Sequence, residues 1–359
     1  MKLRAPRITV GRTFTLGANS DSLPKTVVGG NATVGNSTKS FDTLQVGGSL
    51  ASGANDLTFK APVAVSGNLT LSGNQLAFNN QLRLGGTYTS ANLAFSTAAQ
   101  VRMAAASGGP SIPASQITYG VPYATLLNAP LVVGGASLPA YTITGYAPPA
   151  TVQNVDLSGP ANAATDTKVI FLSPDTTTAF YWKCSNAGLP AGSCNGDTLL
   201  PGYYGNLTLT GNGRALLLTE GFYSFKSISM GGSNAMVAGQ PKGGRTVVYS
   251  ENDITANSSH AFIGPNGARL ATGFGSDSTK FLGGTMMLAT AKNMVIPNDN
   301  RIWATLSAPA GDIHLSSQVA LFGQAYAKRL IGDNNIDFGQ GAFIPFKGTV
   351  PALTGPNFK

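Results

Sequence analysis

A short pattern of apolar and small residues recurs along the first part of the chain. Each copy has an apolar residue, a variable residue, a second apolar residue and two small residues, as in LQVGG from Leu44, VAVSG from Val63, LRLGG from Leu82 and VRMAA from Val101. The second apolar positions follow one another at intervals of 18 or 19 residues: Val10, Val28, Val46, Val65, Leu84 and Met103. A second series keeps the same interval: Leu57 and Phe59, Leu76 and Phe78, and more loosely Leu93 and Phe95.

A repeat this short cannot hold a helix pair or a propeller blade, but it fits one coil of a β-solenoid. Alternation of apolar and variable residues is the two-residue period of a strand with one buried face. The small residue after each strand allows the backbone to turn. We therefore predict an all-β, parallel β-solenoid (right-handed β-helix) with rungs of about 18–19 residues. The second apolar positions would form one internal column, and Thr9, Val27, Gln45, Ala64, Arg83 and Arg102 would face outwards.

The repeat divides the chain into four parts. Residues 1–105 form a first solenoid block, and residues 106–200, where the period disappears, are expected to be an irregular insertion or small β subdomain. Within it TKVIFLS and AFYWKC have the composition of strands. Periodicity resumes in residues 201–341, where Met294, Ile313 and Leu330 open successive rungs. Asn-rich turns such as GDNN suit rung corners that need left-handed backbone. Residues 342–359 are expected to cap the stack.

Composition supports a mostly-β chain and argues against a disordered chain and against a membrane-spanning segment. Among 359 residues there are 45 Gly and 21 Pro, and only 11% are charged whereas 42% are hydrophobic, which is unlike a disordered chain. No run of 18 apolar residues exists, so we expect no membrane span. The start, MKLRAPRITVGR, has no apolar stretch typical of a secretory signal. We therefore expect either a cytoplasmic protein or a chain that lacks its native targeting segment.

The two cysteines, Cys184 and Cys194, lie within WKCSNAGLPAGSCNG, whose Gly, Pro and Asn favour a loop that folds back. This spacing predicts a disulfide and hence an oxidising compartment, although two unpaired thiols remain an alternative. No CxxC motif is present and there are only two His residues, so we expect no metal site and no cofactor.

The run LPGYYGNLTLTGNGRALLLTEGFYSFKSISMGG and the later FGQAYAKRLIGDNNIDF resemble an uncharacterised family of right-handed β-solenoid domains. These domains are related in style to the polymer-forming bactofilins and occur in bacterial surface proteins and minor pilins, including the ComZ type of competence pilus tip protein. The resemblance covers about residues 200–341. It implies an extracellular, pilus-associated or adhesive role with pilus or surface-assembly subunits as partners. The chain departs from a pilin in having no N-terminal apolar helix.

No catalytic motif stands out, so we expect no enzyme. The acids Asp312, Asp333 and Asp337 are the candidates for a polysaccharide-cleaving site on an outer face, but solvated or turn-capping roles are favoured for them. The two His residues, His260 and His314, have no evident partner.

Basic residues are more suggestive. Arg83 and Arg102 occupy the same outward rung position, and Lys226, Lys292 and Lys328 each lie two residues before a rung opens; the equivalent residues of other rungs are Asn252 and Gly311. Stacked like charges repel unless an anion relieves them, so these five are candidates for a polyanion-binding face. Four aromatic residues are candidates to stack on unpaired bases or sugars: Tyr203, Tyr204, Tyr223 and Trp303. Ordinary solubilising charge is the competing interpretation.

Three functions follow from these observations. The first is a rigid, non-enzymatic stalk or tip module of a pilus-like or adhesive surface assembly. The second is a receptor for DNA, or for another polyanion such as an anionic polysaccharide, at a competence pilus. The third, least favoured, is an enzyme that acts on polysaccharide. A cytoplasmic self-polymerising scaffold would require free thiols at Cys184 and Cys194.

Overall fold

The computed structural model describes residues 7–20, 23–36, 40–55, 57–59, 61–73, 76–78, 81–90, 93–95, 100–103, 117–118, 148–172, 177–182, 184, 189, 192–195, 198–232, 234–238, 245–257, 262–265 and 285–338. These residues form 35 strands and no α-helix. Almost all strand pairs are parallel, and they build a solenoid-like stack in which each turn of the chain crosses three faces. The predicted all-β, parallel architecture is confirmed at this level.

The first face consists of β1 Arg7–Val10, β3 Lys25–Val28, β6 Leu44–Val46, β9 Val63–Val65, β12 Gln81–Leu84, β15 Gln100–Met103, β16 Ile117–Thr118, β26 Arg245–Ser250 and β29 Thr285–Thr290. The second face consists of β2 Phe14–Leu16, β4 Ala32–Val34, β7 Leu50–Ser52, β10 Leu69–Leu71, β13 Tyr88–Ser90, β17 Val155–Asp156, β27 Ile254–Asn257 and β30 Met294–Ile296. Four longer strands bend across both faces: β22 Gly202–Leu209, β24 Gly221–Gly231, β32 Thr305–Leu315 and β34 Gln324–Gly332. All these strands belong to one 21-stranded sheet.

The third face is split between a four-stranded and a ten-stranded sheet. The first contains β5 Ser40–Phe41, β8 Leu57–Phe59, β11 Leu76–Phe78 and β14 Leu93–Phe95. The second contains β18 Thr167–Leu172, β19 Thr177–Trp182, β20 Cys194–Asn195, β21 Thr198–Leu199, β23 Arg214–Leu218, β25 Asn234–Ala238, β28 Phe262–Pro265, β31 Arg301–Ile302, β33 Ala320–Leu321 and β35 Asp337–Phe338. Among the strands that the structure describes, only the pairs β18–β19 and β20–β21 are antiparallel.

The strand registers match the repeat read from the sequence. The second apolar positions pair in unbroken order: Val10 with Val28, then Val46, Val65, Leu84 and Met103. The Leu and Phe series pairs in the same way from β8 through β11 to β14. In the later block, Met294 pairs with Ile313, and Ile313 pairs with Leu330. The register of each strand is fixed because a slip by one residue would turn every apolar side chain to the outside.

The two repetitive blocks form one stack, but in the reverse of their chain order. Strand β1 pairs with β3 on one side and with β34 on the other, and β2 likewise pairs with β4 and β34. The chain therefore begins beside its own later part, winds to one end at β15 and β16, and resumes at the opposite end with β17. From there it winds back to β34, so residues 119–154 connect the two far ends.

One internal column runs along the second face through both blocks. Its members pair in the order Val155, Leu207, Ile228, Ile254, Met294, Ile313, Leu330, Phe14, Ala32, Leu50, Leu69 and Tyr88. All of them are buried. At ~4.8 Å a step, the column is about 53 Å long.

One corner of the stack is built from residues with left-handed backbone. Asp299, Gln318, Asn335 and Asn19 have φ of 58°, 63°, 59° and 57°, and each follows the last residue of a second-face strand by three positions. Short polar side chains tolerate this conformation better than apolar ones. The prediction that GDNN forms such a corner is confirmed at Asn335.

The segment before β22 is tied to the stack by a buried ion pair and is cross-linked within itself by a disulfide. Arg214 Nη1 lies 2.5 Å from Asp166 Oδ2, and the two side chains are 6% and 0% exposed. Cys184 and Cys194 are joined, with their Cα atoms 6.1 Å apart, so the predicted disulfide is confirmed. Strands β18 and β19 cover both segments expected to be strands.

Candidate functional site

The second face is open to solvent along its whole length. Its central outward residues pair in the order Asp156, Thr208, Ser229, Thr255, Val295, His314, Ile331, Thr15, Thr33, Ala51, Thr70 and Thr89. All are exposed or half-exposed. Since most carry a hydroxyl or a small apolar group, this surface is uncharged over long stretches.

A ladder of polar side chains runs along the edge where the first face turns into the second. In the early block, Asn31 Oδ1 accepts the Ser49 N–H at 2.9 Å, Ser49 Oγ accepts the Asn68 N–H at 3.0 Å, and Asn68 Oδ1 accepts the Thr87 N–H at 2.9 Å. The same bond links Asp253 to Asn293 at 2.9 Å. Each side chain thus satisfies a backbone donor that the corner leaves outside the strand ladder.

The predicted lysine series lies one residue before this ladder, in a single column. The backbone bond from Asn252 N to Lys226 O is 3.1 Å. A Cβ on Gly311 would meet the Lys292 carbonyl, which places these two residues on adjacent rungs. The bond from Arg12 N to Lys328 O is 2.7 Å, so the column adds a basic residue that the sequence analysis missed.

We call the residues Lys226, Lys292, Lys328 and Arg12 the basic column. Lys226, Lys292 and Arg12 are exposed and Lys328 is half-exposed. Two rungs separate each lysine from the next, about 9.6 Å, whereas Arg12 is one rung, about 4.8 Å, beyond Lys328. Arg12 could have been found from the sequence, because it lies two residues before Phe14 as the lysines lie before their own rungs.

Acidic residues beside the basic column offset part of its charge. Arg329 donates to both oxygens of Asp312, with Nε at 2.8 Å from Oδ1. This hydrogen bond from Arg329, with the charges of Arg329 and Lys328, lowers the pKa of Asp312 despite partial burial. Glu251 and Asp253 flank Asn252 in the same region. The local surface is therefore mixed in sign, with a basic excess.

Arg83 and Arg102 are neighbours, but on the first face. The two residues pair directly between β12 and β15. The rung of Arg83 lies four steps from that of Arg12, about 19 Å along the stack. The structure therefore brings these two arginines together and separates them from the basic column.

The aromatic candidates for base stacking are core residues instead. Tyr204 is 2% and Tyr223 0% exposed, and their burial raises the pKa of both phenols. The Tyr204 ring stacks on Phe225 at 5.4 Å between centroids. Tyr223 donates to the Leu199 carbonyl at 2.7 Å. Neither ring has a free face for an unpaired base.

The other two aromatic candidates are also enclosed. Trp303 is 5% exposed and lies parallel to Phe322, with 4.8 Å between ring centroids. Tyr203 is 9% exposed on the first face. All four residues are therefore packed against the protein instead of being available to stack on a ligand. Tyr204, Tyr223 and Trp303 belong to the core, and Tyr203 is covered although it lies outside the core.

The covered region of the first face is visible in a second apolar column. Phe222, Val247 and Met287 pair in register outside the interior, yet none is more than 2% exposed. Phe222 also stacks on Tyr249 at 6.2 Å. The first face is therefore enclosed around these residues, in contrast to the second face.

The three candidate acids do not form a carboxylate pair. Asp312 is bound to Arg329, and Asp333 Oδ1 lies 3.0 Å from His314 Nε2. Asp337 is on the third face, in β35. Within the described ranges, no group of three or more His, Cys, Asp and Glu residues could hold a metal ion. Of the two His residues, His260 lies outside the described residues.

Comparisons with known proteins give little. No family model matches the chain, and no curated protein matches it. Among solved structures, the chain is similar to an ice-binding protein from an Antarctic bacterium of the Flavobacteriaceae, with 11% sequence identity and a TM-score of 0.26. The match covers 93% of this chain and 81% of that one. No helix in the described part of the chain is long and apolar enough to cross a membrane.

Proposed function

We propose that the chain is a non-enzymatic, extracellular module of a pilus-like or adhesive surface assembly, folded as a right-handed β-solenoid. The observation that supports this proposal is the internal column that continues through both blocks without interruption. Backbone hydrogen bonds run along the axis of such a stack and every interior residue packs on its neighbours above and below. The result is a stiff element suited to hold a binding surface away from a cell.

The disulfide favours the same location. A bond between Cys184 and Cys194 persists in oxidising compartments and is rare where thiols are kept reduced. The exposed second face supplies the surface for contact with other assembly subunits.

The test is to locate the chain in the cells that make it. Antibody should label intact cells, and the chain should be recovered with filaments sheared from their surface. The cysteines should resist alkylation until a reductant is added. Recovery of the chain inside the cells, with both thiols open to alkylation, would overturn the proposal and favour a cytoplasmic scaffold.

A second candidate function, binding of a linear polyanion such as single-stranded DNA, is favoured by the alignment of the basic column. Binding to single strands should weaken with salt, with a slope of about 0.7 per neutralised phosphate. A variant with Gln at Arg12, Lys226, Lys292 and Lys328 should lose most of the binding and most of that slope. A variant with Gln at Arg83 and Arg102 is the control for removal of positive charge elsewhere, and an equal loss per charge removed in both variants would contradict a localised site.

A further inference from the structure

The joint between the two blocks is a non-covalent surface within one chain. Strand β1 meets β34 through four register pairs, Arg7 to Gln324 through Val10 to Ala327, and β2 meets it through three more. Hydrogen bonds such as Gly11 N to Ala327 O at 2.8 Å and Gly17 N to Gly332 O at 2.7 Å complete it. The bonded residues are more than 300 positions apart in sequence, as for Ala18 N and Asn334 Oδ1.

The two sides of the joint have complementary shapes. On the β34 side, three of the four buried, inward-facing residues opposite β1 and β2 are small, Ala325, Ala327 and Gly332, and the fourth is Leu330, opposite Phe14. Larger residues line the opposite side: Ile8, Val10, Phe14 and Leu16. A Cβ on Gly332 would lie 2.8 Å from Leu16 Cδ1, so this glycine makes room for the leucine. Each side therefore fits the other better than it fits an arbitrary strand edge.

Opening this joint would expose two strand edges and the apolar interior of a rung. Strand edges of this kind have unpaired backbone N–H and C=O groups that can pair with a strand of another chain. Because residues 119–154 connect the far ends of the blocks, no peptide bond holds the two sides together at the joint itself. A second copy of the chain carries the same pair of complementary edges.

We propose that the joint is the surface through which two copies of the chain associate, by exchange of the block that contains β1 to β15. In the exchanged dimer, β1 of one copy pairs with β34 of the other, and every contact of the joint is reproduced. Exchange of identical elements is a low-cost route to dimers for this reason. This inference does not depend on the proposed function.

Two full-length variants, each with one cysteine added to the native Cys184–Cys194 pair, test the exchange. Thr15 and Ile331 pair directly on the exposed second face, and at ~4.8 Å their Cα atoms are within the range for a disulfide. One chain carries Thr15→Cys and the other carries Ile331→Cys, and their tags differ in size. The two chains are unfolded together in urea, refolded together and then oxidised. We expect a disulfide-linked heterodimer on a non-reducing gel, and none when the two chains are refolded separately and mixed afterwards.

Thr70→Cys replaces Ile331→Cys in the matched control. Thr70 lies on the same face, three rungs from Thr15, and is more exposed than Ile331, so random collision would link it at least as well. Equal linkage in the control would overturn the proposal.

Light scattering of the wild-type chain after refolding is the second measurement and needs no added cysteine. The ratio of dimer to monomer should rise in proportion to the chain concentration during refolding. Dimers should not appear when folded monomers are concentrated. A monomer at every refolding concentration would overturn the proposal, whatever the disulfide result.

Discussion

Removal of either Arg214 or Asp166 should lower the free energy of unfolding by several kcal/mol, because the other member of this buried ion pair would be left without its partner. Both side chains are almost fully enclosed and lie 2.5 Å apart. Arg214 also donates to the Gly159 carbonyl at 3.0 Å and to that of Pro160. Removal of one member of a buried pair typically costs about 3–5 kcal/mol, because the remaining charge stays buried without its partner.

The expected cost differs between the two single variants. Asp166→Ala should cost about 3 kcal/mol and Arg214→Met about 4 kcal/mol, since the methionine also leaves two carbonyls without their donor. The double variant should cost less than the sum by about 2 kcal/mol or more, because it leaves no buried charge. The measurement is urea unfolding at neutral pH, with the midpoints of the three variants compared to the wild type.

Additive costs would refute this reasoning, since they would mean that the two side chains do not interact. The exposed pair Arg329–Asp312 is the matched control, and Asp312→Ala should have a smaller effect because solvent screens that pair.

The pair should also make stability depend on pH. Burial opposes ionisation of the Asp166 carboxyl, but the Asn162 N–H and the Arg214 guanidinium together lower its pKa below the usual value. A carboxyl with a lowered pKa in the folded state stabilises the fold above its unfolded pKa, and this contribution is lost as the pH falls through the folded value. The difference in unfolding free energy between wild type and Asp166→Ala should therefore shrink below about pH 4. A difference that stays constant down to pH 2 would contradict the assigned cause.

Three further predictions concern the corners and the loop of the stack. Gly311→Ala should lower the unfolding midpoint strongly because its Cβ would overlap the backbone of the adjacent rung, whereas Gly159→Ala, with open space around it, should have almost no effect. Asn68→Ala should cost about 1 kcal/mol in urea unfolding, because one backbone donor loses its acceptor, and Asn68→Asp should restore most of it. Reduction of the Cys184–Cys194 disulfide, which closes a loop with a sequence separation of 10, should cost about 3 kcal/mol; an unchanged midpoint with dithiothreitol would contradict this.

The register of the rungs could be predicted from the sequence because it depends on the alternation of apolar and variable residues within each strand. Each strand must keep Val46, Val65 or Leu84 inside, and a shift by one residue would expose all of them. The column Lys226, Asn252, Lys292, Gly311 and Lys328 followed from the same counting. The stacking of the strands that carry the repeat was therefore predictable, whereas β16 and β17 belong to the stack but lie in residues 106–200, where the period disappears.

The reversed order of the blocks could not be read in this way. Strand β1 has the same alternation as its neighbours, and nothing in RITV distinguishes a strand that follows β34 from one that begins a stack. The small size of Ala325, Ala327 and Gly332 is a sign of the joint, but it can be interpreted only when the larger residues that pair with them are known. Pairing between strands so distant in sequence is a tertiary property that local periodicity does not encode.

The enclosure of one face decides where a partner can bind. The first face carries Phe222, Val247 and Met287 outside the interior, all buried, so a partner would first have to displace whatever packs on them. The second face and the basic column need no such displacement, and they lie side by side along the same edge of the stack. A partner that contacts both would meet hydroxyl and methyl groups on one side and positive charge on the other. Salt should therefore weaken such an interaction without abolishing it, whereas contact with the basic column alone should be lost at high salt.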